Sequence, residues 1–292
     1  MESNFLTAVF LPLTLFIIMV SMGLGLTLND FKRISSEPKS VIIGLIAQLV
    51  MLPLVGFVLA RIFPLTPELA VGLILLATCP GGPTSNMITY LVRGNIALSI
   101  TLTAISSLIT VFTLPLVVNL AMQLFMGSAT SLQLPFLTTV MRIAVITIVP
   151  VAIGMMLKYH TPQFAAKAEK WVKWVSLFFL ALIIFSLLLR ERANVLPFFL
   201  QVGWVTFTLN ISTMALGYGI ATITKLDEGS VKAITVEVGI QNGSLAFTVA
   251  STPAFLNNPT MAIPAAIYGL IMYVTSAAFT YWSRSFHLHF NK

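Results

Sequence analysis

Nine apolar runs of membrane-crossing length follow one another along the chain, at about 5–27, 40–62, 67–92, 96–124, 136–158, 171–189, 198–222, 229–251 and 262–283. A helix needs about 20 apolar residues to cross roughly 30 Å of hydrocarbon. The connections between runs are short, and none is long enough to fold as a separate domain. The pattern predicts an all-α polytopic membrane protein, with residues 1–292 forming one integral membrane unit.

Two of the runs cannot be continuous helices. The third contains Cys79-Pro80-Gly81-Gly82-Pro83-Thr84-Ser85-Asn86, where two prolines remove backbone donors and two glycines loosen the chain. Thr84 or Ser85 is then expected to cap a new half-helix. The eighth contains Glu237-Val238-Gly239-Ile240-Gln241-Asn242-Gly243-Ser244, and its second half is expected to start at Ser244. Broken, polar backbone at that depth survives only against protein or a water-filled cavity. The third and eighth spans are five apart, so they run in opposite directions. Paired interruptions in opposite halves are the mark of an inverted-repeat secondary transporter, with its site at the repeat interface.

Composition agrees: 58% of the 292 residues are hydrophobic and 9% charged, which excludes an ordinary soluble globule. The net charge of +7 comes from lysines and arginines scattered through the connections, so it marks membrane orientation and gives no nucleic-acid surface. With alternate connections assigned to one side, twelve of the 16 cations share that side, three lie on the other, and Arg142 is left inside a span. The positive-inside rule makes the first side cytoplasmic, placing the N-terminus outside and the C-terminus inside a plasma (cell inner) membrane. The first apolar run has no basic leader and reads as a retained helix. The single cysteine, Cys79, excludes a disulfide framework and a cysteine-rich metal site.

Glu237 is the one acidic residue of nine placed well inside an apolar run, and an intramembrane carboxylate is a functional candidate by default. Gln48, Ser85, Asn86, Ser99, Thr103, Gln241 and Asn242 add further oxygen donors, with Ser99 and Thr103 one helical turn apart. Such hard donors suit an unpolarisable cation, although a proton can neutralise the same carboxylate, so these residues leave the coupling ion open. Half-helix N-termini near Thr84 and Ser244 favour an anionic group. The bland alternatives are a Glu237–Lys232 ion pair, and serines and threonines that bond only their own helices.

CPGGPTSN followed by YLVRGNIALS, with EVGIQN downstream, resembles the bile acid:sodium symporter family over nearly the whole chain. The resemblance implies a nine-helix member with a core bundle (about 40–124 and 198–283) and panel helices (about 5–27 and 136–189). It implies one sodium site at Ser85, Asn86, Ser99, Thr103 and Glu237, and a second at Gln48, Glu237, Gln241 and the carbonyls of Val238 and Ile240. Asn242 faces the substrate cavity in bacterial members, and Thr84 lies beside the first break. The chain departs from bacterial relatives at Pro83, which replaces a threonine, and at Ile271-Met272, which replaces His-Asn. Pro83 and Met272 thus take hydrogen-bonding groups away from the expected cavity, which favours an amphipathic organic anion over a small polyhydroxylated acid such as pantoate.

The function implied is sodium-coupled symport of an organic anion, bile-salt-like or a small carboxylate, by alternating access. Its partners are sodium ions, the anion and the lipid bilayer, with no cofactor beyond Na⁺ and no obligate protein partner. The competing reading in transport is a proton-coupled or arsenite- or auxin-type carrier of related architecture. An intramembrane enzyme would need a nucleophile–base pair or a metal cluster, and no span contains a histidine.

Overall fold

A computed structural model describes residues 9–127, 133–165, 167, 168, 171 and 195–290. The described residues are almost entirely helical, and their one β-bridge lies between the two expected breaks. The helices are α1 (Leu11–Gly25), α2 (Leu28–Ser36), α3 (Pro38–Ile46), α4 (Leu52–Ile62), α5 (Pro67–Thr78), α6 (Ser85–Leu91), α7 (Ile96–Met126) and α8 (Phe136–His160). After these come α9 (Val195–Ile223), α10 (Glu228–Gly239), α11 (Gly243–Ser251) and α12 (Ile263–Phe290). Helices therefore occupy eight of the nine expected runs. The run at 171–189 lies outside the described residues apart from Trp171.

Five of these helical stretches are long and apolar enough to cross a membrane, or six if α1 and α2 are counted as one span bent by 63°. Their exposed faces match that environment. Ile42, Ile46, Val50, Leu54, Val58 and Ile62 recur every four residues and are all exposed, as are Phe112, Leu116, Leu120 and Leu124 on α7. Apolar stripes of this length facing water are rare in soluble monomers, whereas hydrocarbon accepts them at no cost.

The short α2 departs from the expected loop. Thr27 caps it with a capping box closed by Asp30, whose carboxylate accepts from the Thr27 amide at 2.6 Å and the hydroxyl at 2.7 Å. Between α3 and α4, residues Ala47–Met51 form a π-helical turn that carries Gln48. Such turns widen a helix locally and often accompany functional side chains.

α1 packs chiefly on α8, and the two backbones touch through glycine. A Cβ at Gly23 would stand 2.1 Å from the Val151 carbonyl oxygen, and one at Gly154 would stand 2.3 Å from that of Val20. On the other flank α5 packs on α7, and α9 lies against α10 and α12. At the start of α10, the Ser230 hydroxyl and amide bond the Asp227 carboxylate and hold it below the usual carboxylate range.

Candidate functional site

α5 ends at Thr78 because Pro80 follows, and α10 ends at Gly239. The extended residues after each helix then pair with one another. Gly81 and Gln241 form an antiparallel bridge, in which the Gly82 amide donates to the Ile240 carbonyl at 2.8 Å and the Asn242 amide to the Pro80 carbonyl at 2.9 Å. Two helix breaks, each costly alone in a bilayer, satisfy part of each other's backbone.

Glu237, fully buried, sits beside this bridge. Its Oε1 accepts from the Thr103 hydroxyl at 2.6 Å. Its Oε2 accepts from Ser85 at 2.8 Å and Ser99 at 3.1 Å. The expectation that Ser99 and Thr103 share a face is met, because one turn of α7 aims both hydroxyls at the same carboxylate. Lys232 lies one turn and a step earlier, but its ammonium pairs with Glu228 at 2.7 Å. The structural ion pair considered for Glu237 therefore has its cation engaged elsewhere. Asn86 is adjacent, and its buried Oδ1 has no hydrogen-bond partner among the described residues.

A second polar group meets the same break from another side. Gln48 Nε2 donates to Gln241 Oε1 at 2.8 Å and to the Cys79 carbonyl at 3.1 Å, and Gln241 Nε2 donates to the Val238 carbonyl at 2.9 Å. Gln48 Oε1 is buried without a partner. The hydrogen bonds of Glu237 run to the hydroxyl group of residues, while those of Gln48 and Gln241 join them to each other, to Cys79 and to Val238.

The first cap differs from the one expected, and the second half-helix starts one residue before Ser244. Thr84 precedes α6 but makes no side-chain cap, and Ser85 is turned to Glu237. α11 starts at Gly243 and is capped by Asn242, whose Oδ1 accepts from the Leu245 amide at 3.0 Å. Asn242 has a longer reach than Ser244 and stands at the position where the chain enters the helix. Its Nδ2 is left buried and without a partner.

A cavity of about 330 Å³ lies between the last turn of α1, α6 and the first turns of α7. Pro83, Asn86 and Thr103 line it, together with Met22, Met87 and Tyr90. Met87 and Tyr90 are exposed, so the cavity opens where α1 and α6 end. Thr84, Asn242 and Met272 are not among its lining residues; Met272 is buried in α12. At the opposite end α1 touches α11, and Arg142 of α8 donates to the Ala254 carbonyl.

Residues not singled out from the sequence also join the site. Asn210 of α9 and Tyr268 of α12 both bond the Gly239 carbonyl, and the Thr89 hydroxyl lies 3.3 Å from that of Ser99. Asn210 carried the same signal as Gln48, an amide in mid-span.

Comparison with known proteins agrees with this architecture. The model of the Sodium Bile acid symporter family matches residues 12–197. The chain is 36% identical over 277 residues to the "Uncharacterized sodium-dependent transporter YocS" of Bacillus subtilis (strain 168), covering 94% of this chain and 83% of that protein. It is 31% identical over 265 residues to the "Probable sodium/metabolite cotransporter BASS1, chloroplastic" of Arabidopsis thaliana, covering 90% and 64%. To the human "Ileal sodium/bile acid cotransporter" it is 27% identical over 267 residues, covering 88% and 75%. These relatives are named as transporters and none as an enzyme. A bundle of apolar helices interrupted by two bridged breaks, with a buried carboxylate beside them, thus belongs to a membrane protein of the sodium bile acid symporter family, a family of sodium-dependent transporters.

Proposed function

We propose that the protein is a symporter that uses sodium to carry an organic anion by alternating access. One sodium ion is held by Ser85, Asn86, Ser99, Thr103 and Glu237, and a second by Gln48, Glu237, Gln241 and the carbonyls of Val238 and Ile240. The observation that carries this reading is the convergence of three buried hydroxyls on the Glu237 carboxylate. Each hydroxyl can turn its proton away and offer a lone pair, so a cation entering this cluster gains oxygen ligands and a counter-charge together.

The unpartnered atoms have matching polarity. Asn86 Oδ1 and Gln48 Oε1 are acceptors with nothing to accept, as a cation ligand would be, while Asn242 Nδ2 is a free donor suited to an anion. In the second group a sodium ion would replace the amide N–H donors that now bond Gln241 Oε1 and the Val238 carbonyl. The names of the bacterial, plant and human relatives all carry sodium, whereas the plant name gives a metabolite, the human name a bile acid and the bacterial name no cargo, which supports the ion more strongly than any one substrate.

The substrate proposed is amphipathic. The cavity volume of about 330 Å³ is within the range of small-ligand pockets, and its lining is mostly apolar with methionines and few polar groups. Asn242, Thr84, Pro83 and Met272 are assigned to the substrate path, which the cavity joins at Pro83. Nine helices in an inverted repeat form a core (about 40–124 and 198–283) that moves against panel helices (about 5–27 and 136–189). The close α1–α8 pairing supports treating those two as one body.

The test is thermal stability of the purified protein in sodium chloride against choline chloride, with organic anions added. Saturating sodium is expected to stabilise by about 2.7 kcal/mol at 100 times its dissociation constant. Glu237→Ala is expected to abolish that response while remaining folded. Stabilisation by protons in place of sodium, or an unchanged sodium response in Glu237→Ala, overturns the assignment.

A further inference from the structure

Breaking a helix orphans carbonyls as well as amides. In a continuous helix the amides of Asn242 and Gly243 would bond the carbonyls of Val238 and Gly239. Here they are turned to Pro80 and Gln241 instead. The Gly239 carbonyl recovers two donors from other helices: Asn210 Nδ2 at 2.7 Å and the Tyr268 hydroxyl at 3.0 Å. Asn210 Nδ2 and the Tyr268 oxygen are also 2.9 Å apart, so three groups from three helices close a triangle. Thr213, one turn after Asn210, lies 3.4 Å from the Val238 carbonyl. Asn210 and Tyr268 have relative exposures of 0% and 1%, and Tyr268 is among the largest fully buried side chains. Burying an amide and a phenol here is unfavourable unless both are used. Even so, Asn210 Oδ1 has no partner, so the pair is not arranged for its own satisfaction.

We propose that Asn210 and Tyr268 are positioning residues for the second sodium ion, holding the Gly239 peptide so that the carbonyls on either side keep their places, that of Val238 beside Gln241 and that of Ile240 in the bridge with Gly82. This rests on the reading of Gln48, Gln241, Val238 and Ile240 as a sodium site. Fixing the Gly239 carbonyl fixes the plane of the peptide it shares with Ile240, so the carbonyls on either side can turn only about the Cα atoms of Gly239 and Ile240 that bound this plane. Neither side chain touches the ion; each acts through the backbone.

The experiment is a sodium titration of melting temperature on the full chain, at constant ionic strength in choline, for wild type, Gln241→Ala and Tyr268→Phe. Tyr268→Phe removes one of two donors to Gly239 and keeps the ring. It is expected to raise half-saturating sodium about fivefold, the value of one hydrogen bond, and to lower the steepness of the titration. Its melting temperature without sodium is expected to stay near that of wild type, a combination that a merely structural role would not give. If Gln241→Ala shifts the titration and Tyr268→Phe does not, the inference fails and the site assignment stands. If neither shifts, the second sodium site itself is wrong. A Tyr268→Phe protein that does not fold is replaced by Thr213→Val, where a shift of about twofold supports the proposal and a wild-type titration overturns it.

Discussion

Gly81 shows how little space separates the two breaks. A Cβ built there would stand 1.9 Å from Glu237 Oε1 and 2.6 Å from its Cδ, closer than real side chains approach. Gly81→Ala must therefore push the carboxylate off its hydroxyl donors or push the bridge apart. Overpacking of this kind costs about 1–3 kcal/mol. The expected outcome is a lower melting temperature without sodium and a half-saturating sodium concentration raised about tenfold or more, read from the same titration. A Gly81→Ala protein with wild-type sodium response would mean that the carboxylate can move without consequence, and the assignment of Glu237 as an ion ligand would lose its geometric basis. Glu237, Ser85, Ser99 and Thr103 were legible as candidates in the sequence because each is a polar residue in an apolar run. Their joint aim was not, since the bonds join residues up to 152 positions apart. Asn210 and Tyr268 were missed for the same reason: the donors that a broken helix needs come from other helices, and an amide or phenol in mid-span does not show which break it serves.

Among the helices, the runs and their breaks were readable because hydrocarbon length and the Pro-Gly clusters act locally. What acts locally but more subtly was misread. The charged 28–36 stretch lies between apolar runs and is nevertheless helical, because Thr27 and Asp30 form a capping box, and the helix expected to start at Ser244 starts one residue earlier under an Asn242 cap. The packing of one helix on another was not readable at all, and Arg142 is the case that matters. It lies inside a run, and the structure has it bonding the Ala254 carbonyl at the end away from the cavity. That bond ties α8 to the connection after α11, on the side where α1 also touches α11. In the alternating-access reading it helps to keep this end closed while the other is open. Arg142→Ala is expected to shift the population toward closure of the cavity mouth by about tenfold, since a hydrogen bond from a charged group is worth about 1.5–3 kcal/mol. The measurement is the labelling rate of Tyr90→Cys by a membrane-impermeant thiol reagent, with and without Arg142→Ala; the native Cys79 is buried. An unchanged rate would reduce the contact to packing.

The two ends of the bundle differ in charge and in shape, and the two differences coincide. Lys158 at the end of α8 donates to the Gly25 carbonyl at 2.8 Å, and Arg284 donates to that of Leu91 at 3.0 Å. The Asn95 amide bonds the Gly229 carbonyl, which brings the start of α10 to the same end. These two cations lie where the cavity opens, and both bond carbonyls at helix C-termini, where positive charge is favoured. At the opposite end Gln201 of α9 donates to the Pro64 carbonyl at 3.3 Å. α8 therefore finishes at the cation-rich end and α9 begins at the other. In the orientation we propose from the positive-inside rule, the cavity mouth faces the cytoplasm. A reporter fused after Lys292 is then expected to be cytoplasmic and one fused before Glu2 to lie outside the cell or in the periplasm. Tyr90→Cys is expected to react with impermeant reagent in inside-out vesicles and to resist it in right-side-out ones. Both termini reporting from one side would remove one span from the nine proposed. Opposite termini with Tyr90→Cys labelled only from outside would keep the nine spans and reverse the orientation, placing the cavity mouth on the side from which substrate is taken up.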